Sequence, residues 1–449
     1  MKNYFIFIWL LLFCNGCKEY LDVKPDKKLV VITNTNEAQS LLNNVNVFNG
    51  AYPVVGEIAS DHFYLVTADW LSTNTIVERN AYIWHEDIFN ENPRNEWSLS
   101  YQKVYFANQI LDGLAEGRIK GTSSEDLNVI KGQALFFRAY SFFNLLQIFS
   151  PAWDEKSSST DLGIALRLTS DFNEPTVRST VEECYSRLID DTIAASELLP
   201  LEVPVKTRPS KSAAFAFLAR VFLTRGEYSR ALEYSEKALM RSPALIDYSS
   251  RNSSASFPFQ LFNEEVVFHS YMNTPAIFFS PKLKVDSSLR NSYREGDLRP
   301  KLFFSQNVDG TFSFKGSYSG SNSLFNGFSV NELYLIKAEC LARLNQGKEA
   351  LNVLNELLTK RWEKGRYSPL NLESKDSLLH IILKEREKEL LFRGLRWIDL
   401  RRLNKEAGFA VTLSRYVNNN LYELKPDDVR YVFKIPENVI AVTGIEQNP

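Results

Sequence analysis

The residues able to perform metal, phosphate or acid-base chemistry are few, and their spacing does not suit it. The four histidines are His62, His85, His269 and His380, and none has a second His or a Cys at ligand spacing. His85-Glu86 is followed by Phe89 where the helix of a zinc protease needs its distal His, so no metal site is expected. No G-x-x-x-x-G-K-[ST] loop and no G-x-S-x-G elbow occurs, which argues against nucleotide hydrolysis and serine catalysis. The 54 acidic residues could supply a carboxylate pair, but a sequence cannot place two of them at the about 5–9 Å that glycoside hydrolysis requires. A noncatalytic protein without a cofactor is expected.

The densest charge lies in EREKELLFRGLRWIDLRR, Glu385 to Arg402, where six basic residues meet four acidic ones. Glu385, Glu389 and Arg393 recur at i, i+4, while Ile382, Leu390 and Leu391 give an apolar face. Gly394 reads as a helix stop or kink. Trp397, Ile398 and Leu400 anchor a second short helix, with Asp399 placed to pair Arg393, Arg396 or Arg402. A phosphate-binding patch would have unbalanced positive charge, so this stretch reads instead as an ionic network locking the C-terminal helices together.

Elements able to position such residues are helical. In PSKSAAFAFLARVFLTRGEYSRALEYSEKALMRSP, the residues Ala219, Phe222, Gly226, Tyr228, Ala231, Ala238 and Pro243 stand at the spacing of a tetratricopeptide helix-turn-helix unit. Small alanines let two antiparallel helices approach, Gly226 relieves the turn and Pro243 stops the second helix. A weaker copy runs from Asn331 to Arg361 with its turn at Asn345 to Gly347. A third pair is expected from Gln133 to Phe149 and Val181 to Leu199, interrupted by a polar insert, and Tyr101 to Ala115 supplies another helix. Such units gain their core by stacking, so the fold class is mainly α: a tetratricopeptide-like superhelix with an inserted loop-rich lobe containing short strands. The scaffold is expected at roughly 97–243 and 329–402, with loop-rich, ligand-binding segments at roughly 50–96 and 244–328. The 31 Phe, 20 Tyr and 7 Trp include many in polar segments, where aromatics seldom all belong to a core.

With 449 residues, 44% of them hydrophobic, and a net charge of −2, the chain can bury a large core and has no electrostatic bias toward nucleic acid. MKNYFIFIWLLLFCNGC begins with Lys2 and carries an apolar run from Tyr4 to Phe13, too short to span a bilayer, with Gly16 before Cys17. Residues 1–16 read as a signal peptide. Either an ordinary signal peptidase cuts there, or cleavage falls before Cys17 with lipid added to its sulfur. The lipoprotein is the expectation, since acyl chains at about 0.8 kcal/mol per buried methylene anchor a chain without a spanning helix. Cys184 and Cys340 sit in apolar helical patterns and read as two buried free thiols.

EREKELLFRGLRWIDLRR resembles the E-R-x-x-E-L-x-F-E-G-x-R-W-x-D-L-x-R signature of the SusD-like (SusD/RagB) outer-membrane lipoproteins of Bacteroidetes. CKEYLDVKP, RAYSFFNLLQIFSPAW, YREGDLR and the tail VFKIPENVIAVTGIEQNP are similar to further segments of that family, in the same order. Arg393 departs from the Glu common before the Gly. The resemblance implies a noncatalytic, cell-surface-exposed, lipid-anchored protein of the outer membrane. It also implies capture of glycans, or in the RagB manner of peptides, for a SusC-like TonB-dependent transporter, with Lys18 and Glu19 resembling a surface-export signal. Sugar rings lay C–H faces on aromatic side chains and need amide, carboxylate or guanidinium partners at their edges. The candidates are therefore Trp70, Asn74, Tyr64 and Asp69 in the first loop-rich segment, and Tyr318, Asn322 and Phe325 in the second.

Overall fold

The computed structural model describes residues 31–89, 95–241, 245–279, 281–371 and 374–449. The expected signal peptide at 1–16, Cys17 and Pro243 lie outside these residues. The scaffold consists of helices α1 (Glu96–Ala115), α2 (Ser124–Phe149), α3 (Val181–Leu198), α4 (Lys211–Thr224), α5 (Tyr228–Leu239), α6 (Val330–Arg343), α7 (Gly347–Thr359), α8 (Lys375–Glu389) and α9 (Arg396–Leu403). From α1 to α7 each helix packs on the next, and α8 packs on α6 and α7. This is the stacked helical-repeat arrangement that the sequence spacing predicts.

Local chemistry sets the ends of these helices. Asn95 and Ser98 cap α1 reciprocally, Thr180 and Glu183 do the same for α3, and Ser123 and Ser210 cap α2 and α4. The α4–α5 turn passes through Gly226 at φ +74°, and the matching α6–α7 turn passes through Asn345 at φ +63°, so both repeat turns use a left-handed residue. Ala219, Ala231, Ala238, Ala338 and Ala350 are fully buried, which lets paired helices approach closely.

Helix α2 is buried nearly all round and forms the centre of the core. Phe136 and Tyr140 on α2 meet Phe217 on α4 together with Phe268 and Phe328. Phe268 and Phe328 face each other across an antiparallel strand pair, Val266–Phe268 with Phe328–Ser329, where the inserted lobe returns to the scaffold. The many aromatics of the polar, loop-rich segments are not all expected in a core. Yet Tyr52, Phe63, Tyr82, Trp84, Phe259 and Phe303 are buried, because these segments fold into short helices and strand pairs whose apolar side chains join one core with the scaffold, as Tyr52 does against Tyr140 of α2.

The segment expected as aromatic loop contains helices Val55–Ala59, Thr67–Leu71 and Ile76–Tyr82. Two loop-rich segments far apart in sequence join through an antiparallel pair in which Phe63 faces Val285 and Tyr64 faces Lys284. A late hairpin, Leu413–Val417 with Asn420–Leu424, turns through Asn418 and Asn419. Both asparagines have positive φ, as the tight hairpin turn requires. Cys184 and Cys340 are buried and free; burial pushes the Cys184 thiol up to about 12. In the tail, Asn448 donates to the carbonyls of Phe149 and Phe433 and accepts from Arg178. Among the described residues no helix is long and apolar enough to cross a membrane.

Candidate functional site

The charge-rich stretch forms two structures on opposite sides of α8. Toward the interior, Glu389 takes Arg361 at 2.7 Å and Arg299 at 3.3 Å, while Arg299 also holds Asp297 at 2.7 Å and Glu385 at 2.6 Å. Arg361 continues to Glu265 at 2.7 Å, and the hydroxyls of Tyr248 and Tyr318 hydrogen-bond to Glu389 and Glu265. Burial alone would raise the Glu389 carboxyl, but the two guanidiniums hold it below its ordinary value. Asp297 and Arg299 belong to YREGDLR, so this lock joins α8 to the inserted lobe. A second lock does join the C-terminal helices: Asp399 pairs Arg386 and Arg402 at 2.8 Å each, and Arg402 reaches Glu339 at 2.6 Å. Gly394, at φ +71°, turns the chain between α8 and α9 and donates to Glu57.

On the outward side lies an open cleft of ≈ 690 Å³. One wall is the Phe63–Tyr64 strand with Asp286 and Ser288, and the other is the 411–416 segment that enters the Leu413–Val417 strand. Alternation along that strand buries Leu413, Arg415 and Val417 and turns Ser414 and Tyr416 outward. Tyr416 is 68% exposed and lines the cleft with half-buried Tyr64. Beneath them Arg396 grips Asp61 with two hydrogen bonds of 2.7 Å. Burial would raise Asp61, yet the Arg396 guanidinium holds its carboxyl well below the usual range, so Asp61 accepts hydrogen bonds as an anion. Glu387 stands 3.7 Å from Arg396 and pairs Lys384 at 2.9 Å. Ser288 and Ser414 add hydroxyls to the lining.

Arg415 fixes the hairpin to the cleft floor. Its guanidinium lies 3.8 Å from the Tyr82 ring and 4.6 Å from that of Trp84, and donates to the backbone carbonyls of Tyr82, Ile58 and Ser60. Burial lowers it to about 10, so it stays charged at neutral pH. The carboxyl that burial raises furthest toward neutrality, Glu96 at about 8, accepts from the Val54 and Val55 amides and does not line the cleft. The arrangement offers ring faces, fixed anions, a guanidinium and hydroxyls, which is equipment for recognition.

Of the seven residues singled out from sequence, Tyr64 alone lines this cleft. Tyr318 and Phe325 are 0% and 1% exposed and serve the core: Tyr318 donates to Glu265 at 2.6 Å under the Arg393 guanidinium, 4.0 Å from its ring. Neither can present a face to a sugar, because the inserted lobe needs them as filling. Trp70 is 9% exposed with Nε1 donating to the Arg79 carbonyl, so its ring also packs inward. Asp69 pairs Lys284 at 3.1 Å. Asn74 and Asn322 are exposed and do not line the cleft. Sequence reading missed Asp61, Arg396 and Tyr416. The alternation in LSRYVNNNLYEL with its Asn-Asn turn is the signal that exposes Tyr416. Asp61 and Arg396 stand 335 residues apart, which no local pattern reveals. The described residues contain no cluster of three or more His, Cys, Asp or Glu able to hold a metal ion.

The helical-repeat scaffold thus carries a polar-aromatic cleft lined by the loop-rich segments, α8, α9 and the late hairpin. Residues 19–223 match a family described as "Starch-binding associating with outer membrane", and residues 313–449 match the SusD family. The chain is similar to SusD-like protein P2 of Formosa agariphila, 25% identical over 68% of this chain and 71% of that protein. A SusD superfamily protein from Bacteroides thetaiotaomicron superposes with TM-score 0.75 at 22% identity, over 93% of this chain and 100% of that one. A SusD-like carbohydrate binding protein from Bacteroides vulgatus does so with TM-score 0.68 at 21% identity, over 92% and 97%. The chain belongs to the SusD-like family.

Proposed function

We propose that this chain is a noncatalytic lipoprotein of the outer membrane, anchored through Cys17 and exposed at the cell surface. It captures glycans in the Tyr64–Tyr416 cleft and passes them to a SusC-like TonB-dependent transporter. The observation that carries the reading is Tyr416, an aromatic ring 68% exposed above the Asp61–Arg396 pair. Its face suits the C–H face of a pyranose, and the ion pair beneath suits the hydroxyl edge. An open, partly hydrated site of this kind is expected to bind with micromolar to millimolar constants, about −8 to −4 kcal/mol, weak enough for transfer.

The second reading is peptide capture for the same kind of transporter. Leu421 faces Tyr416 across the hairpin and is 63% exposed, which would suit an apolar peptide side chain. Affinity gel electrophoresis against plant, host and microbial polysaccharides, beside Tyr416→Ala, separates the two. Retardation by a polymer is expected, with affinity falling about threefold to tenfold in the variant. Binding of an oligopeptide pool with no retardation by any polymer would overturn the glycan reading.

A further inference from the structure

Beyond Lys384 the cleft gives way to a second pocket of ≈ 310 Å³, and Lys384 lines both. The short helix Ser287–Asn291 and its cap flank both as well, with Ser288 and Leu289 facing the cleft and Ser292 the pocket. The two spaces lie side by side across α8, Ile381, Lys384, Glu385 and Lys388 lining the pocket and Lys384 and Glu387 the cleft. Both volumes fall in the range of about 300–1,000 Å³ usual for small-ligand sites.

The pocket differs from the cleft in charge. Arg294, Arg366, Lys384 and Lys388 line it against a single carboxylate, Glu385. Glu385 is already engaged by Lys388 and Arg299, at 2.6 Å each, and Arg366 and Lys384 have partners in Glu295 and Glu387. Arg294 is exposed and has no carboxylate partner among the described residues. An aromatic wall stands beside these cations. The rings of Trp362 and Tyr367 lie 5.5 Å apart, and the Tyr367 hydroxyl is tied to Asn355 at 2.5 Å. Gly296, at φ +90°, lets the backbone approach Trp362 so closely that a Cβ there would stand 3.1 Å from the ring. The indole is therefore held in place while it remains half-buried at the pocket wall.

A fixed ring, an unpartnered guanidinium and an excess of cations match a sugar that carries a negative charge. The pyranose face lies on Trp362, and its carboxylate or sulfate takes the two-pronged hydrogen bonds that Arg294 offers. We propose that this pocket is a second subsite, selective for an anionic sugar, a uronate or a sulfate ester, of a glycan whose next residues fill the cleft. The proposal rests on the glycan reading of the cleft.

Isothermal titration of the full chain in detergent tests it with three oligosaccharides of equal length: a neutral galactan, an oligogalacturonate and a sulfated galactan. One anionic oligosaccharide is expected to bind about tenfold tighter than the neutral one, with an advantage that shrinks as salt rises. Which of the two does so distinguishes carboxylate from sulfate. Arg294→Gln, at an exposed position without an ion pair among the described residues, should cut that advantage to less than about threefold. Trp362→Ala should weaken the anionic ligand as well. Equal binding of neutral and anionic sugars, or an advantage untouched by Arg294→Gln, overturns the subsite and leaves the cleft reading standing. Binding of oligopeptides and of none of the three sugars overturns both.

Discussion

The two sides of helix Lys375–Glu389 carry the same residue types to different ends. Inward, Glu385 and Glu389 stand one turn apart and meet Arg299 and Arg361, whose side chains are 0% exposed. Outward, Lys384 and Glu387 pair at 2.9 Å with 45% and 14% side-chain exposure. Removed from water, a carboxylate needs every lone pair satisfied, and Glu389 has two guanidiniums, Asn331 and a tyrosine hydroxyl. Beside water a pair costs little to break, and its groups stay available to a ligand. The inward ions specify the fold, and the outward ions can exchange partners.

The largest effect expected is from Glu389→Ala, which strands Arg299 and Arg361 in the core. Urea unfolding should show a loss of about 3–5 kcal/mol, and a loss below about 1 kcal/mol would break the distinction between the two sides. Glu96 sharpens it, being a carboxylate as deeply placed but given only the Val54 and Val55 amides. Its folded value of about 8 lies above the ordinary 4.5. Its contribution to stability is therefore complete below pH 4.5 and is lost as pH rises through about 8. Glu96→Gln should flatten that decline, by an amount on the order of a few kcal/mol between pH 5 and pH 8; urea midpoints that fall equally in both proteins would assign the decline elsewhere. The smallest effect is expected from Glu387→Ala on the cleft side, within about 1 kcal/mol of the parent by the same unfolding measurement.

How much the sequence revealed divides along the same line. Repeat helices and turn residues depend on neighbours in the chain, so their spacing shows them: Ala219 and Ala231 mark one helix pair, and of the locks only the local Asp399–Arg402 pair is visible in this way. Trp70, Tyr318 and Phe325 were singled out because they stand among polar residues, and local polarity does not report burial. Tyr318 is filled in by Phe259 at 4.8 Å and by Arg393, partners that come from other parts of the chain. The cleft is assembled from residues near 61, 286, 396 and 415, and only long-range pairing brings them together. The alternation of the 413–417 strand was the one local clue to it.

Arg415 docks the hairpin by donating to three backbone carbonyls, those of Ile58, Ser60 and Tyr82. Every residue type has that carbonyl, so these hydrogen bonds place no demand on which side chains occupy positions 58 and 60. Ile58 and Ser60 are themselves buried, whereas the outward residues Ser414, Tyr416 and Leu421 make none of these hydrogen bonds and can change independently of the hairpin's attachment. The lineage can thus try new ligand-facing surfaces on a hairpin that is moored by its opposite face.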